Sequence, residues 1–392
     1  MRSQKTEDRS QKTEDRSQKF RGLSEWFERH EPKGKWSWLG STYEAFHTFA
    51  FTPKTVTQGG CHVRDAVDLK RAMITVVFAL IPAMLFGMWN IGYQSLHAGF
   101  WQNFWFGFLR MLPMLAVSYI VGLTIEFTFA QIRHHQVNEG YLVTGFLIPM
   151  IVPVTTPLWQ LAIAVAFAVI IGKEVFGGTG MNFMNPALVA RAFLFFAYPT
   201  RMSGDDVWIA ANVWGTDGIT SATPLAELAA GMKHTASALD MFIGTIPGST
   251  CETSVVAILI GAVILLVTGI ASWRIMLSVI IGGGLMGLGF NQLPTANCQL
   301  STYFEIPFYY HYLMGGFMFG AVFMATDPVT AAQTNIGKWI YGLLIGIFAV
   351  MLRVINPAYP EDMMLSILLM NCFAPLIDHC VVAQNIRRRK RR

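Results

Sequence analysis

Charge is almost absent from the middle of this chain and gathers at its two ends and in a few short loops. Between those loops lie apolar stretches of about 20 residues, the length that crosses about 30 Å of hydrocarbon as an α-helix. Hydrophobic residues fill 53% of the 392 positions and charged residues 14%, where a soluble domain carries about 25% charged. A chain in lipid has to satisfy its backbone hydrogen bonds internally, so the fold class is an all-α integral membrane protein. Residues 1–70 are polar and lack an apolar core of the right length, so no cleavable signal peptide is expected. The net charge of +5 does not mark a nucleic-acid partner, because the basic residues flank the apolar stretches as membrane topology requires. Cys61, Cys251, Cys298, Cys372 and Cys380 form no C-x-x-C pair, which argues against a disulfide framework or a cysteine-ligated cluster held by this chain alone.

Ten spans are predicted, near 72–94, 104–130, 141–155, 157–172, 183–198, 254–272, 274–292, 307–325, 338–356 and 363–383. Spans three to five are short and interrupted by Gly or Pro. Lys70 and Arg71 precede the first span, and the tail Arg387–Arg392 follows the last. An even number of spans puts both basic ends on one side, the cytoplasm, together with Arg133, Lys173, Arg274 and Lys338. The long 199–253 loop is then periplasmic. The stretch YLVTGFLIPMIVPVTTP at 141–157 matches YLMGGFMFGAVFMATDP at 312–328, with Tyr, Leu, Gly, Phe, Thr and Pro at identical offsets. With five spans per half, this predicts two inverted five-helix repeats with interrupted or half helices, an architecture that places binding sites near the bilayer midplane. The expected division is a polar repeat at 1–19, a cytoplasmic or interfacial segment at 20–71, a first repeat at 72–198, the loop at 199–253, a second repeat at 254–383 and a basic tail at 384–392. Ser41 and Glu44 form a capping box in the aromatic-rich segment.

The most specific signal is Asp217-Gly218-Ile219-Thr220-Ser221-Ala222-Thr223-Pro224-Leu225. It resembles the flavinylation motif of the NqrB/RnfD family, the flavin-carrying membrane subunits of the sodium-translocating NADH:quinone reductase and of the related Rnf complex. In that motif a glycine usually stands where this chain has Ser221. The resemblance extends from about residue 30 onward, through HVRDAVDLKR at 62–71, VNEG at 137–140, GKEVFGGTGMNFMNPAL at 172–188, RAFLFFAYP at 191–199, FMATDPV at 323–329 and NPAYPE at 356–361. The NqrB branch is the better match, because it also covers the N-terminal extension and the tail. An Rnf-type electron-transport subunit, of the RnfD branch, is the alternative within the family. A non-redox channel or transporter of inverted-repeat shape is the alternative outside it.

The resemblance implies a translocase subunit in a bacterial inner membrane, one of a six-subunit complex passing electrons from NADH to ubiquinone while sodium crosses. FMN would be bound through a phosphoester to the Thr223 hydroxyl, beside Ser221 and Ala222. A non-covalent riboflavin would lie near the loop Gly177–Asn182, with Asn182 and Asn185. Glu126, Asp327, Asp378 and Glu44 match acids tied to sodium uptake, and carboxylates at membrane depth are functional candidates in their own right. On the residues alone, Glu126 could instead pair with Arg110 or Arg133, and Asp327, just before Pro328, could simply cap a helix. Gly122 matches a glycine linked in the family to the quinone site, with Leu123 standing where the family has a second glycine, although a glycine at 122 equally suits helix packing. Gly177–Asn182 is neither a Walker loop nor a Rossmann fingerprint, so NADH belongs to other subunits. Arg191 and Arg353 are expected to pair internally or reach for the interface.

Overall fold

The computed structural model describes residues 59, 61, 69–133, 140–202, 209–210, 222–232, 236–292, 303, 306–356 and 362–391. The polar repeat, nearly all of the 20–68 segment with Glu44, and Ser221 lie outside the described residues. Among the described residues there is no strand. The helices are α1 Leu69–Leu96, α2 Phe100–Ile132, α3 Tyr141–Ile151, α4 Leu158–Gly172, α5 Pro186–Ala197, α6 Pro224–Ala229 and α7 Ala238–Ile243. They continue as α8 Val255–Val267, α9 Trp273–Asn291, α10 Tyr310–Leu313, the turn α11 Phe317–Phe319, α12 Asn335–Ile355 and α13 Asp362–Lys390. Among the described residues, six are long and apolar enough to span a membrane, those built on α1, α2, α4, α9, α12 and α13, while α3, α5 and α8 are shorter apolar helices.

Helix α2 shows how little of a lipid-facing helix touches protein. Only 22% of its apolar window is buried, along one stripe of Asn103, Gly107, Met111, Met114, Ser118, Gly122, Glu126 and Ala130. Small and polar side chains dominate that stripe, as expected where apolar burial gives no preference for protein over lipid and close packing has to hold helices together. Trp101, Leu109, Ile120 and Ile132 point outward. Pro82, Pro113 and Pro375 sit inside long helices, which a membrane helix tolerates because neighbours re-satisfy the freed carbonyls.

The expected span at 141–155 is a half helix. With 11 residues it reaches about 16 Å at 1.5 Å per residue, and Val152 ends it in extended conformation. The Thr250 hydroxyl lies 2.7 Å from the Pro149 carbonyl and 2.5 Å from that of Val152, and Cys251 N–H donates to Met150 O at 3.0 Å. A distant loop thus closes the helix end inside the protein. The expected continuous span at 307–325 is corrected: α10 stops at Leu313, Gly315 adopts φ +64°, and Gly320–Met324 form a π turn. The left-handed backbone at Gly315 is one that a side chain disfavours, and it separates two short pieces where a straight helix was expected. The predicted spans at 183–198 and 254–272 are also trimmed, to Pro186–Ala197 and Val255–Val267.

A clasp recurs in the two halves. Tyr141 donates its phenol to Ser118 O and Tyr312 donates to Ile280 O, each at 2.8 Å. One helical turn further along α2 and α9, Gly122 and Gly284 leave room for those phenols, and a Cβ at either would run into the tyrosine. Helix α2 packs on α3 and α4, and α9 on the broken segment and α12. The pairs α4–α5 and α12–α13 close each half, and α1 meets α8 between them.

Among the described residues the α9–α12 contact is the most extensive, and glycines permit it. A Cβ on Gly342 would strike Ser278 Oγ and lie 2.8 Å from Ile275 O, whereas one on Gly289 would meet nothing within 4 Å. Gly342→Ala is expected to destabilise the protein by about 1–3 kcal/mol through overpacking. Gly289→Ala should be neutral or slightly stabilising, since alanine favours helix. Thermal unfolding of both variants in detergent distinguishes the two outcomes.

Candidate functional site

Helix α4 ends at Gly172, and Lys173 leaves helical geometry with φ −132° and ψ −62°. A short 3-10 turn, Glu174–Phe176, follows. Gly177, Gly178 and Gly180 then adopt φ of +117°, +91° and +93°, so the chain curls back instead of leaving the protein. Asn182 Nδ2 donates to Met184 O at 3.0 Å and holds the curl. Asn185 caps α5 by accepting from Ala187 N–H at 3.0 Å, with Pro186 as the first helical residue.

This loop forms one wall of a cavity of about 420 Å³. Asn182, Asn185, Lys173 and Thr179 border it from the loop, and Val143, Thr144 and Leu147 from α3. Val76 of α1, Leu265 of α8, Phe323 and Asp327 complete the lining. Apolar walls with a few polar edges, in the size range of small-molecule sites, are the ordinary form of a cofactor pocket. Asn182 and Asn185, expected beside a flavin, and Asp327, expected on an ion route, thus border one and the same cavity.

The carboxylates are arranged differently from expectation. Glu126 pairs with neither Arg110 nor Arg133. Its Oε1 accepts from the Lys173 ammonium, both side chains being buried, at 4% and 3% exposure. Lys173, expected as a cytoplasmic topology marker, is therefore an interior cation, with Nζ 5.9 Å from the Tyr141 ring centroid. Arg133 bonds Glu174 instead. No periodicity flags Lys173; its place right after an apolar span reads as topology. Asp327 accepts from Val329 N–H at 3.2 Å and from the Thr330 hydroxyl at 2.9 Å, and so braces its own turn. Asp378 accepts from Gln333 N–H at 2.6 Å, Thr334 N–H at 3.0 Å and the Thr334 hydroxyl at 2.5 Å. It fastens the loop between Asp327 and α12, whose N-cap is Thr334.

Arg191 and Arg353 pair internally. Arg191 reaches Glu252 and Arg353 reaches Asp362, each at 2.7 Å and buried. Gly122 lies against Tyr141; Leu123 is half-buried beside it. Thr223 is half-buried at the N-cap of α6, where its hydroxyl oxygen accepts from Ala226 N–H at 3.1 Å. Ala222 precedes it, also half-buried. The Leu225 carbonyl, two residues on, accepts from the Tyr303 phenol at 3.2 Å.

A family model described as NQR2, RnfD, RnfE family matches residues 56–387. The B-type subunit of the Na(+)-translocating NADH-quinone reductase of Ectopseudomonas mendocina (strain ymp) is 49% identical over 392 residues, covering 92% of this chain and 95% of that protein. The protein of the same name from Stutzerimonas stutzeri (strain A1501) is 47% identical over 403 residues, covering 94% and 98%. That of Chromohalobacter salexigens is 46% identical over 405 residues, covering 95% and 97%.

The bonds to Asp378 generate a prediction. Asp378→Asn puts an amide N–H₂ where acceptors are needed, and is expected to cost about 1–3 kcal/mol by leaving donors unpaired. Hydrogen exchange at Gln333 and Thr334 should accelerate in the variant; unchanged protection would show that the cap is dispensable.

Proposed function

Since the chain belongs to the NQR2, RnfD, RnfE family, we propose that it is the flavin-carrying membrane subunit through which a sodium-translocating NADH:quinone reductase couples electron transfer to ion movement. That it is a membrane subunit of such a sodium pump follows from its kinship, over almost its whole length, with the B-type subunits of that enzyme. The finer reading is ours. It has FMN esterified to Thr223, riboflavin in the cavity, and ubiquinone near Gly122 and Leu123. The other subunits of a six-subunit complex oxidise NADH. Both termini face the cytoplasm of a bacterial inner membrane, and the Thr223 turn faces the periplasm.

The observation that carries the covalent assignment is the way Thr223 uses its oxygen. The hydroxyl acts as an acceptor in the cap, so its own proton takes no part in holding α6. Replacing that proton with phosphorus leaves an oxygen able to accept, and the added negative charge lies at a helix N-terminus, where it is favoured. A flavin so tethered supplies electron-transfer chemistry, while the protein contributes position and surroundings. Supporting the riboflavin reading, the cavity offers apolar faces from Val143, Leu147 and Phe323 for a flat ring. Asn182 and Asn185 present amides at its edge. Sodium, a hard cation that prefers oxygen ligands, would meet Glu126 and Asp327, with Asp378 and, from the N-terminal segment, Glu44 on the same route.

When the chain is co-expressed with a flavin transferase, yellow fluorescence is expected to survive SDS and migrate with it in a gel. Thr223→Ala should abolish that band completely, with the complex still assembled. Persistence of the fluorescent band in Thr223→Ala would move the linkage elsewhere and overturn the assignment.

A further inference from the structure

The Glu126–Lys173 pair and the cavity are joined by one feature: the lysine, not the glutamate, borders the open space. Asp327 borders the same space. It accepts from a backbone N–H and a hydroxyl of its own turn, both neutral donors, so a second carboxylate borders the space that Lys173 borders.

Resting on the reading that Glu126 and Asp327 handle sodium, we propose that Lys173 is a tethered cation that occupies the sodium position on Glu126 and yields it by swinging across the cavity toward Asp327. The exchange follows from charge at each carboxylate. The Glu126–Lys173 pair is neutral, so sodium reaching Glu126 while the ammonium stayed on it would put an excess positive charge at that pair. Asp327, held by neutral donors, leaves the ammonium a second carboxylate to go to. The ammonium leaving without sodium would strand a buried carboxylate. One cation therefore replaces the other. The ammonium keeps its proton throughout and only its partner changes.

Local structure allows the movement. Lys173 sits just past the end of α4 with φ −132°, outside regular helix, and its flexible four-carbon stem ends in a compact charge with no fixed bonding plane. The Tyr141 ring, 5.9 Å from Nζ, offers the departing charge an aromatic face, and Tyr141 itself is fixed by its bond to Ser118 O. The ammonium has Glu126 from α2 and the Tyr141 ring from α3 beside it, the neighbouring Glu174 carboxylate bonds Arg133, and Asp327 borders the same cavity. In the absence of sodium the tethered cation plugs the site, which prevents ion leakage without a moving helix.

The test is the sodium dependence of quinone reduction by the whole purified complex. Lys173→Met is expected to lower the half-saturating sodium concentration by about fivefold or more, the lower end of ordinary coupling between competing ligands. Its rate at saturating sodium should fall, because bound sodium is no longer displaced. Lys173→Arg, whose planar fork holds a carboxylate more firmly, should raise the half-saturating concentration. Glu126→Gln should raise it too, which tests the underlying reading separately. If Glu126→Gln raises the value but Lys173→Met leaves it unchanged or raises it, the tethered-cation proposal is overturned while the sodium role of Glu126 stands. If Glu126→Gln has no effect, the reading fails and the proposal with it. Covalent flavin fluorescence and size-exclusion profile report assembly. Should Lys173→Met not assemble, Lys173→Arg decides: a raised value supports the proposal and an unchanged or lowered one overturns it.

Discussion

Inside a bilayer no water is available to repair an open hydrogen bond, so wherever this chain leaves helical geometry at membrane depth it must bring a substitute partner. Most of the fold follows from how it does so. The C-terminal carbonyls of α3 would be bare at Pro149 and Val152 but for the Thr250 hydroxyl, contributed by a segment about a hundred residues later. Arg353 brings a guanidinium N–H to the backbone carbonyl of His311, at 2.6 Å, where the broken 310–324 segment exposes it. Helix breaks create the cavity, and long-range polar side chains make the breaks tolerable. The cavity therefore lies at the breaks, where regular backbone gives way and polar groups are already present.

The turn that carries Thr223 is bound to the same economy of breaks. Tyr303 holds the Leu225 carbonyl. A Cβ at Gly315 would sit 3.5 Å from Arg353 Nη2 and 3.7 Å from Leu225 Cδ2, so the left-handed glycine, the buried arginine and the α6 turn meet at one point. Leu225 and Leu228 are buried there. The proposed flavin tether thus stands on an anchored turn whose foundation is the break in the second half of the molecule.

The features legible in the sequence were those written in local composition. Long apolar runs gave the six spanning helices among the described residues, though α13 runs on through Arg387–Lys390, past the limit expected at 383. The internal match between 141–157 and 312–328 pointed to equivalent positions, and the clasps at Tyr141 and Tyr312 fall at its first residue in each copy. What stayed hidden was set by distant partners. Nothing near Glu126 announces Lys173, because the two meet only after α2 and α4 pack. Nothing near Asp378 shows that it fastens Gln333 and Thr334. The break after Leu313 was invisible because its apolar composition suits a continuous helix, while the left-handed turn at Gly315 and the π turn depend on the packing around them.

The three buried pairs among the described residues are not alike, and the difference bears on which can move. Arg191 bonds Glu252 and also reaches Ser249 Oγ at 3.3 Å. Arg353 bonds Asp362 and the His311 carbonyl. A planar guanidinium that reaches two partners in different directions locks the elements it joins. Lys173 has no such fork. It bonds a single carboxylate oxygen, and of these three buried cations only it borders the cavity. Buried ion pairs add little net stability compared with apolar packing, so a lysine in this position calls for another reason. Arginines at the joints and a lysine beside the open space give a frame in which the proposed exchange needs only one side chain to change partners, which suits a membrane subunit of a sodium pump.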